Sequence, residues 1–311
     1  MNMLQIAPSA AAARSAPVSL ALIGMGRQGA RHLMRADRMR EEVNLSLAAI
    51  VDPDPRCAEQ AARLGIPFFE DVDTLPAHID AAIVATPTCT HLDVGRRLLE
   101  RGIDLLIEKP VACGLAQTQT LVRLAEQRQC IFQVGYLERY HRAFRASKPD
   151  FSSPARVVSH RTTRGADIGT VEELVLELMI HDLDMLATWL DCAPTNFAWT
   201  RIEYDSRCVS AELEIQFSAG HCARLIAQSG TLEVIRRTQV TAGSHAWNFD
   251  WGSSRTASSQ SDEHGIDPIS AQLRAFVNAV RTRTHPTVNG HAALKAMQLA
   301  ERAIRALPAR A

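Results

Sequence analysis

The sequence predicts an α/β protein in two parts. The first is a parallel sheet with helices on both faces, and the second is an α+β domain on a largely antiparallel, open sheet. Three observations carry this. Between residues 18 and 134 short apolar runs alternate with helix-compatible segments, the pattern of successive βαβ units. From about residue 150 the apolar runs lengthen and follow one another with little helix between them. At 311 residues the chain also exceeds the size at which one core stops growing, so two domains are expected. The pattern places them at 18–140 and 141–311, with the last helices able to pack back on the first.

Bulk composition narrows the function classes. Lys plus Arg equals Asp plus Glu at 34 each, so no net field recruits nucleic acid or an anionic membrane. Seven cysteines, scattered and never in C-x-x-C, point to free thiols in a reducing compartment, against a disulfide framework and against zinc. A cytoplasmic protein is expected. No apolar run approaches the roughly 18–20 residues that span a bilayer. Residues 1–17, rich in Ala, Ser and Pro, lack the basic start and apolar centre of a signal peptide and are expected to be a disordered extension.

In chain order, Val18–Ile23 reads as a buried strand and ends in Gly24-Met25-Gly26-Arg27-Gln28-Gly29, followed by a helix over 30–42. In G-x-G-x-x-G the first glycine permits a tight turn, the second lets backbone approach a pyrophosphate, and the third lets helix pack on strand. The N–H groups at the helix start then face the phosphates. A strand over 45–51 ends on Asp52, 23 residues beyond Gly29, where a carboxylate can accept the ribose hydroxyls of an adenosine; the bland alternative is an acid opening the Pro53-Asp54-Pro55 turn. Pro53 stands where an arginine would clamp a 2′-phosphate, which favours NAD over NADP. Alternation continues with helix 56–64, strands 66–69 and 80–85, helix 92–101, strand 103–107, helix 115–127 and strand 130–134. The strand ends carry Thr86, Thr88 and His91, then Glu108 and Lys109, then residues 135–139, all on the edge where such sheets bind ligands. A dinucleotide is expected along this edge, and Gly24–Gly29, Asp52, Thr86, Thr88, His91, Glu108 and Lys109 are its candidate contacts.

The second domain reads as a strand over 155–164, a long amphipathic helix over 171–190, and strands over 196–204, 209–217, 222–228 and 232–242. Alternation in Ala211-Glu-Leu-Glu-Ile-Gln-Phe217 marks a sheet with one apolar face. A Ser-rich loop over 253–265 is expected to be mobile, and helices over 268–281 and 291–307 close the chain. The open sheet needs cover on its remaining face or edge, which is expected to be a subunit interface.

Two features carry chemistry. Lys109, held before Pro110 at a strand end, is either a surface lysine or a group that reaches substrate. Glu177 and His181 lie four apart on one helix face. Such a pair is a salt bridge, a core histidine, or a base that takes a proton from an alcohol while hydride leaves the same carbon. No third ligand completes a metal set, and no metal is expected.

Gly24-Met-Gly-Arg-Gln-Gly29, Ala85-Thr-Pro-Thr-Cys-Thr-His91, Glu108-Lys-Pro-Val-Ala112 and His181-Asp-Leu-Asp184, in this order, resemble the glucose–fructose oxidoreductase / inositol dehydrogenase (Gfo/Idh/MocA) family over nearly the whole chain from Val18. The resemblance implies an N-terminal Rossmann domain, a C-terminal domain with an open sheet, a tightly held nicotinamide cofactor, Lys109 and His181 at the sugar, and a homodimer or homotetramer. Val134-Gly-Tyr-Leu-Glu-Arg-Tyr140 and Leu176–Asp184 are further similar to a branch acting on UDP-linked amino sugars, the UDP-N-acetylglucosamine 3-dehydrogenases of lipid A biosynthesis among them. Here Glu177 replaces the branch's usual Asp, and Tyr140-His141 replace Phe-Asn. The resemblance implies NAD-dependent oxidation of a sugar hydroxyl, at C3 of a UDP-N-acetylhexosamine. His181 is the base, Lys109 binds the same oxygen, Glu177 orients His181 or binds a neighbouring hydroxyl, and Glu138, Arg139 and Arg164 meet the nucleotide sugar. Oxidation of a free sugar or inositol, or NAD binding by a regulator without turnover, are the alternatives.

Overall fold

The computed structural model describes residues 16–164, 168–205, 208–252 and 267–309. The expected extension, save residues 16 and 17, and the Ser-rich loop over 253–265 lie outside them. The chain forms two compact units that are interleaved in sequence rather than divided by one cut near residue 140. One runs through Glu108 and adds Arg123–Gln133 and Gln272–Thr287; the other takes Lys109–Val122, Val134–Ala271 and Val288 onward.

The first unit is built on β1 (Val18–Ile23), α1 (Arg27–Val43), β2 (Leu45–Val51), α2 (Ala58–Arg63), β3 (Phe68–Phe69), β4 (Ala81–Val84), α3 (His91–Glu100) and β5 (Asp104–Ile107); α4 (Leu115–Gln127) and β6 (Phe132–Val134) follow. The six strands form one sheet in the order β3-β2-β1-β4-β5-β6, with β1 parallel to β2 and β4, β2 parallel to β3, and β4 parallel to β5. Ala81-Ala-Ile-Val84 and Asp104-Leu-Leu-Ile107 are buried at every position, as strands covered on both faces must be. Strand order reverses between β1 and β4, so the carboxyl ends there open the crevice where doubly wound sheets bind ligands. A helix from late in the chain, α8 (Pro268–Thr282), completes this core. Its Leu273, Phe276, Val277 and Val280 pack with Leu20, Leu22, Leu33, Met39 and Leu47.

At the opposite end of β5, Asp104 is buried and accepts from the Ile131 N–H at 2.7 Å and from the Arg283 guanidinium, which also donates to the Gln129 carbonyl at 2.6 Å. Arg283 holds a left-handed φ of 53° just after α8, where glycine is preferred. Replacing Arg283 with Gly relieves about 1 kcal/mol of backbone cost but strips a buried carboxylate of its cation, a loss of about 2–3 kcal/mol at this half-exposed partner. The net expectation is a destabilisation of about 1–2 kcal/mol in urea unfolding at pH 7. Burial pushes the Asp104 carboxyl up, and removing the guanidinium pushes it further. The deficit should therefore shrink as pH falls and the folded carboxyl takes its proton.

The second unit contains α5 (Arg142–Ala146), β7 (Ala155–Thr162), α6 (Val171–Leu174), α7 (Ile180–Trp189), β8 (Pro194–Asp205), β9 (Cys208–Phe217), β10 (Cys222–Gln228), β11 (Arg236–Ala242) and β12 (His245–Asp250). After β12 the chain carries α8, and α9 (Gly290–Arg305) follows. The sheet runs β12-β11-β7-β10-β9-β8, antiparallel except where β7 pairs with β10. Val209, Ala211, Leu213 and Ile215 of β9 and Ala223, Leu225 and Ala227 of β10 fill its buried face. The strand expected over 232–242 starts only at Arg236, and β12 was not expected. The two make a hairpin whose two-residue turn opens on Gly243 at φ 54°, a Gly-Ser signal for strand reversal. The helix expected over 171–190 runs unbroken from Val171 to Trp189, with a change of helical type inside it. A capping box, Thr170 Oγ1 accepting from the Glu173 N–H and Glu173 Oε2 from the Thr170 N–H, both at 3.1 Å, starts it. A π-helical turn, Val175–Met179, then separates α6 from α7.

Candidate active site

The glycine turn in the first unit is shaped by what a side chain would strike. A Cβ on Gly29 would lie 1.8 Å from the Gly24 carbonyl oxygen, and one on Gly24, at φ 93°, would lie 2.8 Å from the Ala85 backbone. So the first and third glycines let α1 and the loop after β4 close on β1. Gly26 differs, with no atom within 4 Å of the place a Cβ would take. It is exposed, it precedes α1, and no side chain caps that helix start. The first-turn N–H groups of Arg27, Gln28 and Gly29 therefore face an open space with the positive end of a 17-residue helix dipole behind them. Asp52 stands at the tip of β2. Its Oδ2 accepts from the Met25 N–H at 2.6 Å and its Oδ1 from the Asp54 N–H at 2.9 Å. An ionised carboxylate has about four acceptor positions, so two hydroxyls can still be taken. These residues fit a dinucleotide.

Other expected cofactor residues serve the frame around this turn. His91 is buried, and its Nε2–H donates to the Thr86 carbonyl at 2.8 Å, fixing the loop after β4, while Thr90 Oγ1 lies 2.8 Å from Thr86 Oγ1. Thr88 begins the short 3-10 turn of that loop and is half-buried. Glu108 Oε1 lies 2.7 Å from His32 Nε2, both side chains buried, tying the end of β5 to α1.

The second unit gathers the expected reactive groups, with partners the helical spacing did not foresee. Lys109 Nζ donates to the Glu177 carboxylate at 2.8 Å and to the Glu177 carbonyl at 2.9 Å. The π-turn explains the second bond, because its wider ladder diverts carbonyls from their ordinary partners four residues on. Glu177 is thus not the group that orients His181. Glu138 is: His181 Nδ1 lies 2.6 Å from Glu138 Oε2. Glu138 Oε1 accepts from Arg161 Nη1 at 2.8 Å, and Arg161 Nε donates to both oxygens of Asp182, at 2.9 and 2.8 Å. Beside them Arg139 pairs in bidentate fashion with the buried Asp184, at 2.7 and 2.6 Å. Glu138 and Arg139, expected at the nucleotide sugar, are bonded here to His181 and Arg161 and to Asp184 respectively. Arg164 lies apart on the surface, its Nε donating to the Leu232 carbonyl at 3.0 Å.

The charges in this cluster set the protonation of His181. Burial alone would raise the Glu138 carboxyl, but the His181 and Arg161 charges outweigh it and hold it well below the usual carboxylate range. An ionised carboxylate only accepts, so Nδ1 carries the proton and Nε2 is the basic nitrogen. Burial lowers the imidazole's own pKa below its ordinary value near 6.5, the Glu138 carboxylate pulling the other way and the Arg161 and Lys109 cations adding to the fall. His181 is therefore neutral at pH 7 and can take a proton. The residues missed from sequence are Arg161, Asp182 and Ser159. Their signal was the alternation along β7, which puts Ser159 and Arg161 on the same face as Val157.

An open glycine turn on a parallel sheet, an acid at the tip of the second strand, and a neutral imidazole with a lysine define an NAD-binding oxidoreductase. The comparisons agree. Residues 18–136 match the model of the oxidoreductase family with an NAD-binding Rossmann fold. The chain is 31% identical over 219 residues to UDP-N-acetylglucosamine 3-dehydrogenase of Acidithiobacillus ferrooxidans, covering 68% of this chain and 69% of that protein. It is likewise 31% identical over 135 residues to scyllo-inositol 2-dehydrogenase (NAD(+)) of Bacillus subtilis, covering 42% of this chain and 39% of that one. A crystal structure of the Acidithiobacillus enzyme shares the fold, with TM-score 0.81 at 24% identity over 93% of this chain and 97% of that one. The chain belongs to the Gfo/Idh/MocA family of oxidoreductases. No helix among the described residues is long and apolar enough to cross a membrane.

Proposed function

We propose that the protein oxidises the C3 hydroxyl of a UDP-linked N-acetylhexosamine, such as UDP-N-acetylglucosamine, to the 3-keto sugar with NAD. The observation that carries this reading is the His181–Glu138 pair with Lys109 at hand: a neutral imidazole whose Nδ1 is occupied and whose Nε2 is basic. His181 takes the hydroxyl proton. Lys109, oriented by Glu177, donates to the same oxygen and stabilises the negative charge that develops on it. NAD, when bound, accepts the hydride from the carbinol carbon. Gly24, Gly26 and Gly29 with the amides of Arg27, Gln28 and Gly29 would hold its pyrophosphate, and Asp52 its adenosine ribose. The likeness to a UDP-N-acetylglucosamine 3-dehydrogenase supports the substrate.

The likeness to an inositol dehydrogenase supports a second reading, oxidation of a free polyol. A panel of alcohols with NAD, followed by absorbance of the reduced cofactor, separates them. Turnover of UDP-N-acetylglucosamine is expected; turnover of myo-inositol with none of any UDP-sugar would establish the second reading. NAD binding without turnover of any alcohol would make the protein a regulator. We place the enzyme in the cytoplasm, as a supplier of keto sugar for amino-sugar and lipid A synthesis, which its seven unpaired thiols support. A homodimer or homotetramer through the open sheet is part of the same reading, and light scattering of the purified protein tests it.

A further inference from the structure

We propose that Arg161, Asp182 and Ser159 act through Glu138 as positioning residues for the His181 base, a role that rests on reading His181 as the base of an alcohol oxidation. The geometry is a chain of buried groups ending on the imidazole. His181 Nδ1 meets Glu138 Oε2 at 2.6 Å, Glu138 Oε1 meets Arg161 Nη1 at 2.8 Å, and Arg161 Nε bridges both oxygens of Asp182. Asp182 Oδ1 also accepts from Ser159 Oγ at 2.6 Å, and Ser159 Oγ lies 2.9 Å from Thr238 Oγ1, which accepts from Trp251 Nε1 at 2.9 Å. The members come from the short turn Leu137–Tyr140, from β7, from α7 and from β11, so none can shift without the others. Arg161 is 2% exposed, Asp182 3% and Ser159 not at all.

A structural role alone accounts poorly for this chain. Replacing a buried ion pair by packed apolar groups is often neutral or stabilising, so stability does not require charge at these positions. Ser159 and Arg161 also break the apolar alternation of β7 at two successive core-facing places. What the charges accomplish is local. Arg161 occupies one Glu138 oxygen and keeps the carboxylate ionised, so the other oxygen is committed to Nδ1–H. That fixes the ring from behind and dictates the tautomer in which Nε2 is the base. It also stabilises the imidazolium that forms once the proton has moved.

The groups that face His181 predict opposite electrostatic effects. The Glu138 carboxylate raises its pKa, while the Arg161 guanidinium and Lys109 ammonium lower it; Asp182 and Asp184 bring further negative charge, and the Tyr136 ring packs edge-on at 6.5 Å. Glu138→Gln should therefore move the acid limb of kcat/KM to lower pH and cut kcat about 100-fold, with KM for NAD unchanged. Arg161→Met should move the same limb to higher pH, because two carboxylates lose their shared cation. Arg161→Lys keeps the charge, yet one ammonium cannot serve Glu138 and Asp182 together; kcat should fall while the limb stays near wild type. The substrate-independent readout is the 15N titration of the His181 imidazole, assigned by difference from His181→Asn. Nδ1 should carry the proton in the wild type, with the midpoint shifting down in Glu138→Gln and up in Arg161→Met. Should Arg161→Met fail to fold, Arg161→Gln is read in its place, with the same upward shift expected. Shifts in the same direction, an unmoved Glu138→Gln midpoint, or an unprotonated Nδ1 in the wild type would each overturn the proposal. Because the titration needs no sugar, a protein inactive on UDP-N-acetylglucosamine that still shows these shifts refutes the substrate and leaves the positioning role standing.

Discussion

His181→Asn is expected to lower kcat on the protein's alcohol substrate by about 100- to 10,000-fold, the range lost when a positioned general base is removed. The melting temperature should move little, since Asn Nδ2–H can still donate toward Glu138. In the wild type kcat/KM should rise with pH as the imidazolium loses its proton, with a midpoint below about 6.5, because burial holds the folded imidazole below its ordinary value. Lys109→Met should cost about 100- to 1,000-fold in kcat, the loss of one donor to a developing oxyanion. The two losses should combine less than additively, because both groups act on one oxygen. Steady-state kinetics on the single and double variants checks this. Wild-type turnover in either single variant would remove that residue from the reaction.

Gly29→Ala and Gly26→Ala should fail in different ways. A Cβ on Gly29 would lie 1.8 Å from the Gly24 carbonyl oxygen, an overlap of a methyl with backbone that no rotamer relieves. The expected cost is about 3 kcal/mol or more, read as a fall in the urea midpoint, as α1 is forced off β1. A Cβ on Gly26 meets nothing within 4 Å, and its φ of −63° suits alanine. Gly26→Ala should keep the wild-type melting temperature and bind NAD about 10- to 100-fold more weakly, because the added methyl stands where the pyrophosphate approaches. Calorimetric titration with NAD tests it. Unchanged affinity in Gly26→Ala would move the cofactor away from this turn.

The first sheet was legible because its signals are local. Continuous apolar strands buried on both faces announce βαβ units, and β1 and α4 fall at their expected bounds. Where the reading faltered, the cause was geometry that periodicity does not encode. A π-turn inside 171–190 changes which residues share a face, so Glu177 turned to Lys109 and the imidazole was left for Glu138, 43 residues upstream. Arg161 went unnoticed for a related reason. An arginine in a strand reads as solvated until the strand's inner face, and Asp182 opposite it, are known. Which residues of α8 enter the first core, Leu273, Phe276 and Val277 among them, is likewise set by tertiary contacts that periodicity does not encode.

The central claim, that a C3 hydride leaves a UDP-amino sugar for NAD under the control of His181, has a direct isotopic test. The protein is incubated with NAD and UDP-N-acetylglucosamine deuterated at C3, and the reduced cofactor is analysed by mass spectrometry. The account predicts one deuterium in each reduced nicotinamide and a 3-keto sugar as the coupled product, with a kinetic isotope effect on single-turnover hydride transfer. Reduced cofactor without deuterium, or no reduction with this sugar while a free polyol is oxidised, would contradict it.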